Sequence, residues 1–199
     1  MQELVIASHN KGKVKEIEEL LENHDIKVFS ATDMGLPEPV EDGSTFIANA
    51  EIKSKSGLVH CGKACLADDS GIVIPALDGA PGIYSARWGG KEKDFNKAMQ
   101  LVHDKIVERG LQPTGQSAYF ICVLSLALPN GQVHNFEGRV DGSLVFPPRG
   151  SNGFGYDPIF IPNGGTKTYG QLSQIEKNQT NHRGIAFRKF EEFLADRAI

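Results

Sequence analysis

Four short clusters of polar residues in this chain have the types and spacing to act on a phosphorylated ligand. The first, Ser8-His9-Asn10-Lys11-Gly12-Lys13, lies between an apolar run and a helical pattern. A helix starting there presents free N–H groups and the positive end of its dipole, and a lysine adds a full charge, so the segment suits a phosphate. It is not a P-loop, because G-x-x-x-x-G-K-[ST] is absent. An ordinary N-cap followed by surface lysines is the plainer alternative. The second cluster is Asp68-Asp69-Ser70-Gly71, with Glu41 upstream in an acidic stretch. Carboxylates at a strand end hold Mg²⁺, or Mn²⁺ in its place, through one or two ligands plus substrate phosphates. A further carboxylate would serve as general base toward water. Turn chemistry explains the same four residues without any ligand.

The third cluster is Gly150-Ser151-Asn152-Gly153-Phe154-Gly155-Tyr156-Asp157-Pro158. Its glycines let the backbone approach a flat ligand while Phe154 offers a stacking face, and Asp157 could accept from a base edge. The plainer account is a mobile loop with a core-anchoring aromatic. The fourth is Lys177, followed by His182-Arg183 at the start of the last helical pattern. Two donors side by side suit carbonyl oxygens or phosphate, whereas a solvated helix start is the plainer reading. A donor pair of this kind favours a carbonyl oxygen over an amino group.

Elements to position these clusters are visible in the periodicity. Leu4-Val5-Ile6-Ala7 reads as a buried strand, and Val14, Ile17, Leu20 and Leu21 as one face of a helix capped by Asn10 or Ser8. Lys27-Val28-Phe29 is a second short strand, and Asp42 to Thr45 opens a helix reaching about Leu58. Cys65-Leu66-Ala67 leads a strand into the Asp68 doublet. Asp78 to Lys91, rich in glycine, is a loop. Phe95, Ala98, Met99, Val102 and Ile106 mark an amphipathic helix. Ala118 to Leu128 and Val133 to Leu144 flank Pro129-Asn130-Gly131 as a hairpin. Pro158 to Pro162 is a short strand, and Ala186, Phe190, Phe193 and Leu194 mark a last helix. Early alternation of strands and helices with a late hairpin predicts an α/β fold with a mixed sheet.

Composition sets the outer bounds. The chain has 199 residues, 40% hydrophobic and 23% charged, and no linker divides it, so residues 1–199 are expected to form a single domain. A net charge of −4 argues against nucleic acid or a membrane surface as partner. Cys61, Cys65 and Cys122 are an odd count suited to a reducing compartment, and Cys61 and Cys65 lack the second half-site that zinc requires. Met1-Gln2-Glu3-Leu4-Val5-Ile6 has no basic or long apolar leader character, and no run approaches the ~20 apolar residues of a span. A cytoplasmic location is the expectation.

The motifs occur in a recognisable order. Ser8-His9-Asn10-x-x-Lys13-x-x-Glu16, Asp68-Asp69-Ser70-Gly71, Gly79-Ala80-Pro81-Gly82-Ile83-Tyr84-Ser85-Ala86-Arg87, Gly153-Phe154-Gly155-Tyr156-Asp157-Pro158 and Lys177 with His182-Arg183 follow one another. From Leu4 to about Phe193 the chain resembles the inosine triphosphate pyrophosphatase family, also called the Ham1 family. The resemblance implies hydrolysis of the non-standard purine nucleoside triphosphates ITP, dITP and XTP to monophosphate and pyrophosphate. It also implies an elongated α/β fold whose mixed sheet is flanked by helices, with two lobes, the active site in the cleft between them, and a homodimer.

By the same resemblance Ser8, Asn10 and Lys13 bind phosphate, with His9, Lys11 and Gly12 of that segment expected as further substrate-binding residues, and Glu41 and Asp69 hold magnesium with Asp68 beside them. Asp69 is implied as proton acceptor with Lys13 as its catalytic partner, and Ser70 as a substrate contact. Phe154, Gly155, Tyr156, Asp157, Lys177, His182 and Arg183 correspond to the nucleobase pocket. Two positions depart from the family pattern: Asn181 stands where serine is usual, and Gln171 where an acidic residue is common. Two rivals remain in view, a Maf-like nucleotide pyrophosphatase and a module that binds nucleotide without turnover. The Phe-Gly-Tyr-Asp loop opposes the first, and retention of Glu41, Asp68 and Asp69 the second.

Overall fold

Six strands and five α-helices make an α/β fold in the computed structural model, which describes residues 3–196. Met1 and Gln2, which open the stretch read for a leader, lie outside the described residues. The strands form one mixed sheet in the order β2-β1-β3-β4-β5-β6. The chain divides into two compact units, one of Met1–Asp69, Cys122–Gly138 and Arg183–Ile199, the other of Ser70–Ile121 and Arg139–His182. Among the described residues no helix is long and apolar enough to cross a membrane.

In the first unit β1 (Glu3–Ile6) pairs in parallel with β2 (Lys27–Ser30) and with the start of β3 (Cys65–Val73), Val5 opposite Cys65 and Ile6 opposite Leu66. Strands in such a sheet are covered on both faces and successive side chains go to opposite sides. Leu4, Ile6 and Leu66 accordingly join a core with Ile17 and Leu21 of α1 (Lys11–Leu21) and Ala186, Phe187 and Phe190 of α5 (His182–Asp196). Val5, Ala7, Cys65 and Ala67 join the opposite core, where Leu58 and Cys61 of α2 (Phe46–Cys61) pack. Asn10, not Ser8, caps α1: its Oδ1 accepts from the N–H groups of Gly12 at 3.0 Å and Lys13 at 3.3 Å.

In the second unit α3 (Phe95–Glu108) buries Ala98, Met99, Val102 and Ile106, as its periodicity predicts, against Ile72, Ile74, Phe120, Phe160 and Tyr169. β4 (Ser117–Ala127) and β5 (Val133–Leu144) are neighbours joined at Leu128 to Gln132, so the hairpin forms where expected. β6 (Phe160–Pro162) pairs antiparallel with β5 and follows a 3₁₀ turn at Asp157–Ile159. Three expectations change. The 78–91 loop contains 3₁₀ turns at Gly82–Tyr84 and Arg87–Gly89. A helix, α4 (Gln174–Thr180), carries Lys177 and is begun by a Ser173–Glu176 capping box. Asp68 to Gly71 do not follow a strand but lie within β3.

Candidate active site

That last difference decides the electrostatics. Adjacent strand residues point to opposite faces, so Asp68 shares the face of Leu66, and Asp69 that of Cys65 and Ala67. Asp68 therefore meets α1 and α5. Its side chain is fully buried, ion-paired to Lys13 and, at 2.8 Å, to Nε of Arg183. Arg183, itself 1% exposed, also pairs with Glu16 of α1. Two cations and two anions thus form a buried set. Burial alone would raise the Asp68 carboxyl, but Arg183 and Lys13 outweigh it and hold the group well below the usual carboxylate range. Burial and the neighbouring Asp68 push the Cys122 thiol up, which keeps it a donor to Asp68 Oδ2 at 3.0 Å.

Asp69 meets α2. Lys53 Nζ lies 2.9 Å from Asp69 Oδ1 and 2.8 Å from Glu41 Oε1, joining the two carboxylates. Burial raises the Asp69 carboxyl and Glu41 adds to it, together exceeding the pull of Lys53 and Lys13. Lys53 loses by burial but gains more from Asp69 and Glu41, so its ammonium is held charged. The second oxygen of Asp69, Oδ2, is buried without a hydrogen-bond partner. Buried carboxylate oxygens are seldom left so, and each such exception calls for an explanation. Two carboxylates sharing one ammonium, with one oxygen unsatisfied, fit a divalent cation of the Mg²⁺ type, which needs only one or two protein carboxylates.

The expected trio of Glu41, Asp68 and Asp69 does not converge. Among the described residues no group of three or more His, Cys, Asp or Glu side chains is placed to hold a metal ion. Strand alternation is the reason: Asp68 belongs to the salt-bridge set, and only Glu41 and Asp69 share a partner.

The phosphate segment is arranged as a helix start. Ser8 is buried and its Oγ accepts from the Asn10 N–H at 3.3 Å, while the His9 ring pairs with the Leu36 carbonyl at 2.9 Å. Lys11 is exposed, Gly12 lies in the first turn and Lys13 reaches Asp68. Asn10 occupies two of the first N–H groups of α1, as the plainer reading has it.

The residues of the base-type clusters sit in the second unit, except Arg183. Asp157, 2% exposed, accepts from the Phe154 N–H at 2.8 Å and from Lys177 Nζ at 2.7 Å. It therefore organises the loop rather than offering an open acceptor edge. A Cβ on Gly153, whose φ is +72°, would stand 2.2 Å from Asp157 Oδ2, so the turn admits only glycine. Lys177 Nζ also lies 4.6 Å from the centre of the half-buried Phe154 ring. Tyr156 is anchored by its hydroxyl, which donates to the Ser85 carbonyl at 2.8 Å. Ser85 Oγ accepts from the Ile72 N–H and donates to the Gly82 carbonyl, so the Gly79 to Arg87 motif is fastened to β3 two residues beyond the half-buried Ser70. His182 stacks on Phe120, ring centres 4.8 Å apart and 9° from parallel. Arg183, expected beside His182 as a donor to a base, pairs in this structure with Glu16 and Asp68.

Lys53 is the hub of the acidic pair, yet no motif in the sequence singles it out. Its signal is weak: one of two lysines in a helix, one turn after Asn49. Glu16 stood within the first motif but was given no role.

Residues 4–193 match the Ham1 family model. The chain is 50% identical over 186 residues to a dITP/XTP pyrophosphatase of Zymomonas mobilis, covering 94% of this chain and 88% of that protein. A dITP/XTP pyrophosphatase of Rhodospirillum centenum is 51% identical over 186 residues, 94% of this chain and 91% of its own. Among solved structures, a HAM1 protein from Coxiella burnetii superposes with a TM-score of 0.89 at 37% identity, covering 98% of this chain and all of the other.

Proposed function

From the membership of this chain in the Ham1 family we infer that it hydrolyses non-standard purine nucleoside triphosphates, ITP, dITP and XTP, to monophosphate and pyrophosphate. Half identity along nearly whole chains to two proteins named dITP/XTP pyrophosphatase supports the substrate class. The observation that carries the chemistry is Asp69, a buried carboxyl pushed upward in pKa, with one oxygen on Lys53 and the other unpartnered.

In this reading Asp69 takes the proton of the water that attacks the α-phosphorus, and the bond to the bridging oxygen breaks with pyrophosphate leaving. A carboxyl raised toward neutrality is a better-matched base than an ordinary one. Glu41 and Asp69 would hold Mg²⁺, which when bound neutralises charge on the phosphate oxygens. Lys13 turns its ammonium from Asp68 to the phosphates, and Ser8 to Gly12 present the helix start to them. Lys53 keeps Glu41 and Asp69 apart from one another's charge and in register. Phe154 stacks on the base, with Lys177 and His182 donating to its carbonyl edge, while Asp157, Gly155, Tyr156 and Ser70 hold those groups in place. Arg183 and Asp68 set the position of Lys13. The whole chain is assigned as one catalytic domain, acting as a cytoplasmic homodimer.

The test is pyrophosphate release by the purified chain with Mg²⁺ against inosine, deoxyinosine, xanthosine, adenosine and guanosine triphosphates. Release from the first three at kcat/KM at least about 10²-fold above adenosine is expected for a site that pairs with the 6-oxygen. Binding of inosine triphosphate without release would replace the enzyme by a nucleotide-binding module.

A further inference from the structure

Asn49 takes no part in that reading, yet it is buried to 0% exposure in α2, one turn before Lys53. Its Oδ1 accepts the Gly43 N–H at 2.9 Å. A backbone donor settles which end of the amide is which, so Nδ2 is the other end, buried and without a hydrogen-bond partner. Gly43 stands two residues after Glu41 in a segment of no regular structure between residues 37 and 45. A Cβ on Gly43 would come 2.6 Å from Asn49 Oδ1, so the backbone of this segment is drawn tight against the amide.

We propose that Asn49 is the positioning residue for Glu41: through the Gly43 N–H it fixes the acidic segment so that Glu41 meets Lys53 and, with Asp69, the divalent cation. The placement of Glu41 otherwise depends on a long side chain rising from irregular backbone. Helix α2 supplies both anchors from one face, since residues four apart lie above one another: Lys53 takes the carboxylate and Asn49 the backbone behind it. A buried amide with an unsatisfied donor costs stability, and the backbone that it holds accounts for its presence beside Lys53. The proposal rests on the functional reading above.

The experiment uses the full chain with Asn49→Ala and Asn49→Asp, alone and combined with Glu41→Gln. Two quantities are read: exchange of the Gly43 amide in the apoprotein by NMR, and the Mn²⁺ concentration giving half-maximal pyrophosphate release from inosine triphosphate. Asn49→Ala should speed Gly43 exchange and raise the Mn²⁺ requirement, each about tenfold, the worth of one lost hydrogen bond. Its kcat at saturating Mn²⁺ should stay within about threefold, since Asp69 is untouched. Asn49→Asp keeps the acceptor and should restore Gly43 protection. In the Glu41→Gln background Asn49→Ala should add less than about twofold to the Mn²⁺ requirement, because a positioning residue has nothing left to position. Full additivity, or an unchanged Mn²⁺ requirement with Gly43 protection gone, overturns the proposal. Should Asn49→Ala fail to fold, Asn49→Ser, with a shorter acceptor, is held to the same readings. A wild-type chain that releases no pyrophosphate overturns the functional reading and this proposal with it; an active one with an additive cycle overturns this proposal alone.

Discussion

Replacing Arg183 by methionine tests whether this residue is a recognition group or part of the frame. The guanidinium is 1% exposed and is shared by Glu16 and Asp68. Methionine fills much of the volume but leaves Glu16 without that cation and Asp68 with the Lys13 ammonium and the Cys122 thiol. Removing one side of a buried pair costs about 3–5 kcal/mol, because the surviving charge stays desolvated. A domain holds only about 5–15 kcal/mol in all. At this chain length each kcal/mol moves the melting temperature by roughly 2–4 °C, so a drop of about 6–20 °C is expected at neutral pH.

The pH dependence adds a sign that simple loss of packing lacks. In the wild type the Asp68 carboxyl is depressed, so its stabilisation is present above the unfolded value near ~3.9 and is lost only as pH falls through the lower folded value. Without Arg183 the burial that opposes ionisation is countered mainly by Lys13, and the carboxyl moves up. A raised carboxyl weakens the fold at high pH and ceases to do so as it protonates. The gap between the two proteins is therefore widest at neutral pH and narrows on acidification, as the raised carboxyl of the variant takes up its proton. Circular dichroism melts from neutral to acidic pH give the answer. A variant within about 2 °C of wild type at pH 7.5, or a gap that ignores pH, would falsify the frame assignment. Normal melting with selective loss of inosine triphosphate activity would return Arg183 to the base.

Asp69→Asn should lower kcat by roughly 10²–10⁴ with little change in melting temperature, the usual worth of a general base; near-normal turnover removes Asp69 from that role. In the wild type kcat/KM should rise with pH through the elevated Asp69 value, since the base works only when ionised; a profile without an acid limb above that of an ordinary carboxylate speaks against it. Chelation should abolish turnover, and Glu41→Gln should raise the Mg²⁺ requirement; full activity in excess chelator contradicts both. Phe154→Ala should raise KM for inosine triphosphate about fivefold or more, stacking being worth ~1–3 kcal/mol, with kcat less affected.

The fold was legible wherever one period dominated. Leu4 to Ala7 is apolar on both faces, and Leu4 to Ile6 lie in a strand buried on both faces. The spacing of Ala98, Met99, Val102 and Ile106 was read correctly as one helix face. α4 was missed because its sequence, Gln174 to Thr180, is polar and short; a capping box begins it, and Lys177 is its one buried residue. Asp68 to Gly71 was read as following a strand because these types favour turns. Burial against α1, α2 and α5 overrides that preference, and Lys13, Lys53 and Arg183 pair with the two carboxylates, leaving only Asp69 Oδ2 without a partner.

The site was legible as residue types but not as partnerships, and a single register explains the difference. In a turn, Asp68 and Asp69 could both face one cation. In β3 they cannot, so one joins a saturated ion-pair set and the other keeps an oxygen unpartnered. Their carboxyls move in opposite directions, Asp68 down and Asp69 up, although the residues are neighbours of one type. The split follows from which helix each face meets: α1 and α5 bring Lys13 and Arg183, whereas α2 brings Lys53 alone and shares it with Glu41. A one-residue slip of β3 would exchange the two faces. It would bury the proposed base among two cations, where it would be ionised but too weak to take a proton, and set the frame residue at the metal. The register of Val5 opposite Cys65 is thus as much a requirement of the proposed chemistry as Asp69 itself.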